Sequence, residues 1–209
     1  MSTPTILSSA GRILLAAAIL MSTSCGSELL RTGRAPVYLV IEEMEASAGG
    51  DGQLEAFLLS DVEVLVEQQI NGVTVQVPTF FNDNLTATIG AVSKNPSVAA
   101  TPINAVTLTR YRVDFRRTDG RNTPGVDVPY GFDGGLAVTI QPNNSAQVAI
   151  ELVRHQAKLE PPLKNLAGFG GQGFISTIAE VTFYGRDQNG NEVMVTGRID
   201  VQFGDFADD

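Results

Sequence analysis

Val106-Thr107-Leu108-Thr109-Arg110-Tyr111-Arg112-Val113-Asp114-Phe115 decides the fold. Tyr111, Val113 and Phe115 fall on one side of an extended chain. Arg110, Arg112, Asp114 and Arg116 fall on the other. Apolar and charged residues alternating with a period of two describe a strand with one dry face and one wet face.

The same reading extends in both directions. Upstream lie Val37 to Glu42, Val62 to Glu67, Val73 to Val77 and Leu85 to Ile89. Downstream come Leu136 to Ile140, Gln147 to Val153, Ile178 to Tyr184 and Val193 to Phe203. Asn71-Gly72 sits between two of these runs, and the type I′ turn of a tight hairpin needs positive φ at both central residues, which this pair supplies. Asp187-Gln188-Asn189-Gly190-Asn191 marks a second hairpin, and Pro142-Asn143-Asn144-Ser145 a turn between two further strands. Leu54 to Ser60 and Leu159 to Leu166 have only weak helical character, and Pro161-Pro162 interrupts the second. About eight to ten short strands without a convincing amphipathic helix predict an all-β fold, an antiparallel β-sandwich over residues 37–204.

The chain start has a different character. Arg12 precedes the apolar run Ile13 to Met21, and the small residues Ser22-Thr23-Ser24 lead to Cys25, the only cysteine. A positive flank, an apolar core and small residues at the exit are the parts of an export signal, here residues 1–24. The apolar run is about half the ~20 residues that cross a bilayer as a helix. Residues 25–36 read as a flexible tether and 205–209 as an acidic tail.

Two resemblances attach to these residues. Thr23-Ser24-Cys25 resembles the lipobox of bacterial lipoproteins, although Ser22 stands where that family usually has Leu. The resemblance implies cleavage before Cys25 and lipidation of its thiol and new amine. Gly26, in place of an aspartate, implies an outer-membrane or cell-surface address rather than retention at the inner membrane; Ser22 and Ser24 also suit ordinary secretion. Separately, the segment from about 176 to 203, strand–Asp-Gln-Asn-Gly-Asn–strand, resembles the closing hairpin of immunoglobulin-like and fibronectin-type domains of bacterial surface proteins. The buried tryptophan and paired cysteines of the immunoglobulin fold are absent, so the resemblance implies the general sandwich alone.

Composition narrows the function classes. Without Arg12, 13 of the 14 lysines and arginines face 23 acidic residues, a net charge of about −10. An acidic body gains nothing from counterion release on nucleic acid, so no nucleic-acid partner is expected. With no cysteine after Cys25 no internal disulfide can form.

Candidate chemistry is sparse. His155 is the single histidine, which excludes a His-rich zinc site, and no Gly-x-Ser-x-Gly surrounds Ser97, Ser145 or Ser176. As neighbour of Arg154 and Lys158 it reads as a solvated strand-end residue. Glu42, Glu43 and Glu45 form a row, whereas glycoside chemistry needs two carboxylates facing across a cleft. The glycines of 168–173 lack the Gly-Lys-Ser/Thr and the following helix of a phosphate loop, and Phe169 and Phe174 read as tucking into the core. Asp187, Asn189 and Asn191 space oxygens by two, yet lack the bidentate glutamate of an EF-hand, so a plain turn is expected. The looser cluster of Asp127 and Asp133 gives no better spacing.

One feature stands out on the wet side. Arg110, Arg112, Arg116 and Arg117, with Arg121, form a basic stripe suited to an acidic partner or phosphate headgroup; Asp114 and Asp119 are its local counter-charges. The expectation is a non-enzymatic envelope interaction module. It is held to a membrane through lipid on Cys25 and contacts an envelope protein or ligand, with no cofactor and no metal. The rivals are a secreted hydrolase with acids in a groove and a calcium-stabilised adhesive domain.

Overall fold

The computed structural model describes residues 33–49, 52–168 and 173–206. Residues 1–24 expected to form an export signal, Cys25, most of the expected tether, Phe169 and the last three residues lie outside them.

Ten strands make up most of these residues. In chain order they are β1 (Val37–Ser47), β2 (Phe57–Asp61), β3 (Val64–Ile70), β4 (Val73–Thr79) and β5 (Asp83–Ser93), followed by β6 (Val106–Arg116), β7 (Phe132–Ile140), β8 (Asn144–Val153), β9 (Phe174–Asp187) and β10 (Glu192–Gly204). Among the described residues from 34 onward, helical structure comprises one turn, α1 (His155–Lys158), and two short 3-10 segments, Pro102–Asn104 and Leu163–Leu166. One sheet has the order β1-β5-β8, a second the order β2-β10-β9-β6-β7, and β3 with β4 forms a separate two-stranded ribbon. The fold is all-β, with one departure from the antiparallel expectation. β2 runs parallel to β10, Phe57 opposite Asp200 through Asp61 opposite Gly204. This strand falls where the sequence shows weak helical character. Its alternation of buried Leu58 and Ser60 with outward Phe57 and Leu59 is too short to register as a period.

The dry faces of both larger sheets meet in one core. Val113, Val181, Phe183, Val201 and Phe203 come from the five-stranded sheet and Leu85, Ile89, Ile150 and Leu152 from the other. Each such side chain contributes about 1.5–3 kcal/mol by leaving water. Phe115 and Phe203 meet edge to face at 5.5 Å. In β6 the inward residues are Val106 and Leu108, then Tyr111, Val113 and Phe115, so the alternation slips by one. A bulge between Leu108 and Arg110 absorbs the slip and keeps all five inside.

Both expected turns are present, and the structure adds where their strands go. The turn at Pro142–Asn144, with Asn143 at φ 59°, carries the chain from β7 in one sheet to β8 in the other. The Asn71-Gly72 turn, φ 53° and 80°, closes β3 onto β4 as expected, but that ribbon pairs with neither sheet. Phe174 does not tuck into the core; it is exposed at the start of β9.

Candidate functional site

The two ends of the body differ. The described chain enters at Gly33, whose carbonyl accepts a hydrogen bond from Lys94 Nζ, beside the start of β1 and the end of β5. The β3–β4 ribbon departs from the opposite end, where β1 finishes, β2 finishes and β5 starts.

Cross-strand partners share a face, so the ribbon's register sorts its residues. Val64, Val66, Val77, Val75, Ile70 and Val73 lie on one side with Thr79 and Gln68; Glu67, Gln76, Gln69, Thr74, Leu65 and Pro78 lie on the other. The polar side is pinned by the Gln69–Thr74 hydrogen bond. The base of the apolar side is half-buried against a groove of about 430 Å³ lined by Val64, Val66, Leu59, Phe81 and Phe206. Its tip is not covered: Ile70 is 49% exposed, Val75 41% and Val73 64%. A two-stranded hairpin is marginally stable in water by itself, and burial of its apolar face is what normally holds one.

Beneath the ribbon's root lies a group that the sequence reading passed over. Asp83 opens β5 on the same side as Leu85, Ala87 and Ile89, so its carboxylate points into the core. Unpaired, a carboxylate there would carry the full cost of leaving water. Lys158, last residue of α1, answers it: Nζ lies 2.8 Å from Asp83 Oδ1, with side-chain exposures of 1% and 0%. Gly49 N–H donates to the same Oδ1 at 2.8 Å, and the Ser60 hydroxyl donates to Oδ2 at 2.6 Å. Gly49 must be glycine, because a Cβ would come within 2.6 Å of the Asn82 carbonyl oxygen. Burial pushes the Asp83 carboxyl above its usual range against the downward pull of Lys158 and the hydrogen bonds. The signal available in the sequence was Asp83 itself, in phase with the apolar row of β5.

Arg110, Arg112 and Arg116 lie on the wet face of the five-stranded sheet, as their alternation requires, whereas Arg117 and Arg121 lie in the loop after β6; each of the five meets an acid. Arg110 and Arg112 both reach Asp133, Arg112 also binds Asp114 at 2.7 Å, and Arg116 reaches Glu180 at 2.7 Å. Arg117 and Arg121 share Asp119 at 2.6 and 2.7 Å. Asp114 and Asp119 are thus the counter-charges read from the sequence, and Asp133 and Glu180 add two more. Arg110 also stacks over the Tyr184 ring at 3.9 Å.

The remaining candidates occupy separate places. His155 takes its position from Asn82, whose Oδ1 accepts its backbone N–H at 2.6 Å and lies 2.9 Å from Nδ1. Glu42 accepts a hydrogen bond from Ser145 across the neighbouring strand. Asp187 is buried, and its carboxylate accepts the backbone N–H groups of Asn189 and Asn191 and the Asn191 side-chain amide. Its oxygens therefore hold the β9–β10 turn. No group of three or more His, Cys, Asp or Glu side chains gathers as a metal cluster among the described residues. Asp133 lies in β7 among the arginines, whereas Asp127 holds the Thr123 turn.

No family model, no curated protein and no solved structure matches this chain.

Proposed function

We propose that the protein is an exported, lipid-anchored immunoglobulin-like β-sandwich that works as a non-enzymatic contact module of the cell envelope. Lipid on Cys25 holds it to the outer membrane or cell surface, and the β3–β4 ribbon meets an envelope partner. The observation that carries this reading is the uncovered apolar face of the ribbon at the end of the body opposite chain entry. β1 alone is 11 residues, a span of about 36 Å at 3.3 Å per residue. A tether attached at Gly33 thus leaves the ribbon on the far side from the membrane. Two sheets sharing one core support the sandwich, and the turn from β7 to β8 supports a connection between its layers. The arginine face is a second, weaker surface, because its charge is already met by Asp133, Asp114, Glu180 and Asp119.

A photoreactive side chain placed at Val73 in the full chain, expressed in its native cells, tests the ribbon's part. Crosslinking to one envelope component is expected from Val73 and not from Thr196 on the arginine face. Equal yields from both positions would refute a contact through the ribbon.

A further inference from the structure

We propose that Asp83 and Lys158 condense into an intramolecular amide that covalently staples the start of β5 to the segment after β8. The two groups are in contact with essentially no exposure to water, at Nζ–Oδ1 2.8 Å. That distance to one carboxyl oxygen puts the amine roughly 3.5 Å from the carboxyl carbon, at the edge of an attack geometry. Holding reactants in this way replaces the encounter that makes amide formation slow between free molecules.

Protonation fits the site. Two opposite charges in a dry site are poorly solvated, and the attack begins with one ammonium proton passing to the carboxylate it already faces. The direction in which burial moves Asp83 agrees. Lys158 Nζ then attacks Cγ. Gly49 N–H, already on Oδ1, meets the negative charge that develops there, as a backbone donor does in an oxyanion hole. The Ser60 hydroxyl, on Oδ2, relays protons to the departing oxygen: it gives its own and takes back one that the nitrogen releases, so the serine ends unchanged.

The step balances without another reagent. The Nζ–Cγ bond forms and the Cγ–Oδ2 bond breaks. Two of the three ammonium protons leave with Oδ2 as water, one stays on the amide nitrogen, and the net charge is unchanged. The bond joins positions 75 apart in the chain. It would give this exported body, which has no cysteine after Cys25, a covalent tie at the end from which the ribbon departs.

Tryptic mapping of the full wild-type chain after denaturation tests the proposal. The peptide His155-Gln156-Ala157-Lys158, bounded by Arg154 and Lys158, is expected to be missing. Residues 155–164 are expected instead as a branch on residues 35–94, one water lighter than the two peptides together. Recovery of the free tetrapeptide in proportion to its neighbours, with residues 35–94 linear, would overturn the proposal. In Lys158→Arg, which keeps a cation but has no amine to condense, the branched species must vanish. Its persistence would place the bond elsewhere and equally overturn the assignment.

Discussion

Asp83 and Arg121 show how differently two charged residues bear on this molecule. Asp83 points into the core, and removing Lys158 takes away both its charge partner and the proposed tie, leaving only the Gly49 N–H and the Ser60 hydroxyl on a buried carboxyl. Lys158→Ala is expected to lower unfolding free energy by about 3–5 kcal/mol in urea titration. Arg121→Ala, on an exposed pair screened by water, is expected to leave the urea midpoint close to that of the parent. Asp119 gives the pH dependence. Hydrogen bonds from Arg117 and then Arg121 hold its carboxyl well below the usual carboxylate range. A folded-state value below the unfolded one contributes stability above the ordinary value near 3.8 that is lost as pH falls toward the folded value. The difference in urea midpoint between wild type and Asp119→Asn is therefore expected at neutral pH and low salt, and to narrow below about pH 4. The Asp83 carboxylate was legible, since it stands in phase with Leu85, Ala87 and Ile89. Its partner was not. Lys158 reaches it only because the chain folds back after β8, and nothing local to His155–Lys158 encodes that approach.

Strands with a long run of alternation were legible at the scale of the element. β6, β9 and β10 each bury one side of ten or more residues; Gly190, at φ 82°, marks the β9–β10 turn by conformational need, as Asn71-Gly72 marks that of β3 and β4. β2 was not legible, because five residues joined in parallel to a strand far along the chain leave little pattern. The sheet change at Pro142–Asn144 was hidden for another reason: a tight turn reads alike whether its strands pair or part. The ribbon was visible as a hairpin but not as a separate element, since isolation is a property of its surroundings. Its halves should respond differently to substitution. Ile70→Ser with Val75→Ser, at the uncovered tip, is expected to leave the body's urea midpoint within about 0.5 kcal/mol of wild type while abolishing crosslinking from the photoreactive side chain at position 73. Leu85→Ala, in the core beside the ribbon's root, is expected to cost about 2–5 kcal/mol.

At the scale of the whole molecule, an acidic body has one end at which its chain enters and another that presents an apolar ribbon. Burial, the Asp83–Lys158 pair and turn hydrogen bonds hold it together. Asp187 spends its oxygens on the β9–β10 turn, so chelation with EDTA is expected to leave the unfolding temperature unchanged; a clear fall would favour a calcium-stabilised domain instead. The all-β character was legible in the sequence because alternation is written locally. The proposed orientation on a membrane rests on the lipobox resemblance at Cys25 together with the positions of Gly33 and the ribbon.

The most direct measurement is metabolic labelling with an alkyne fatty acid, followed by membrane fractionation, on the native full-length precursor and its Cys25→Ala variant. The account requires a labelled, membrane-bound wild type and loss of both label and membrane association in the variant. Unlabelled, soluble protein outside the cell from both forms would contradict a lipid-anchored contact module.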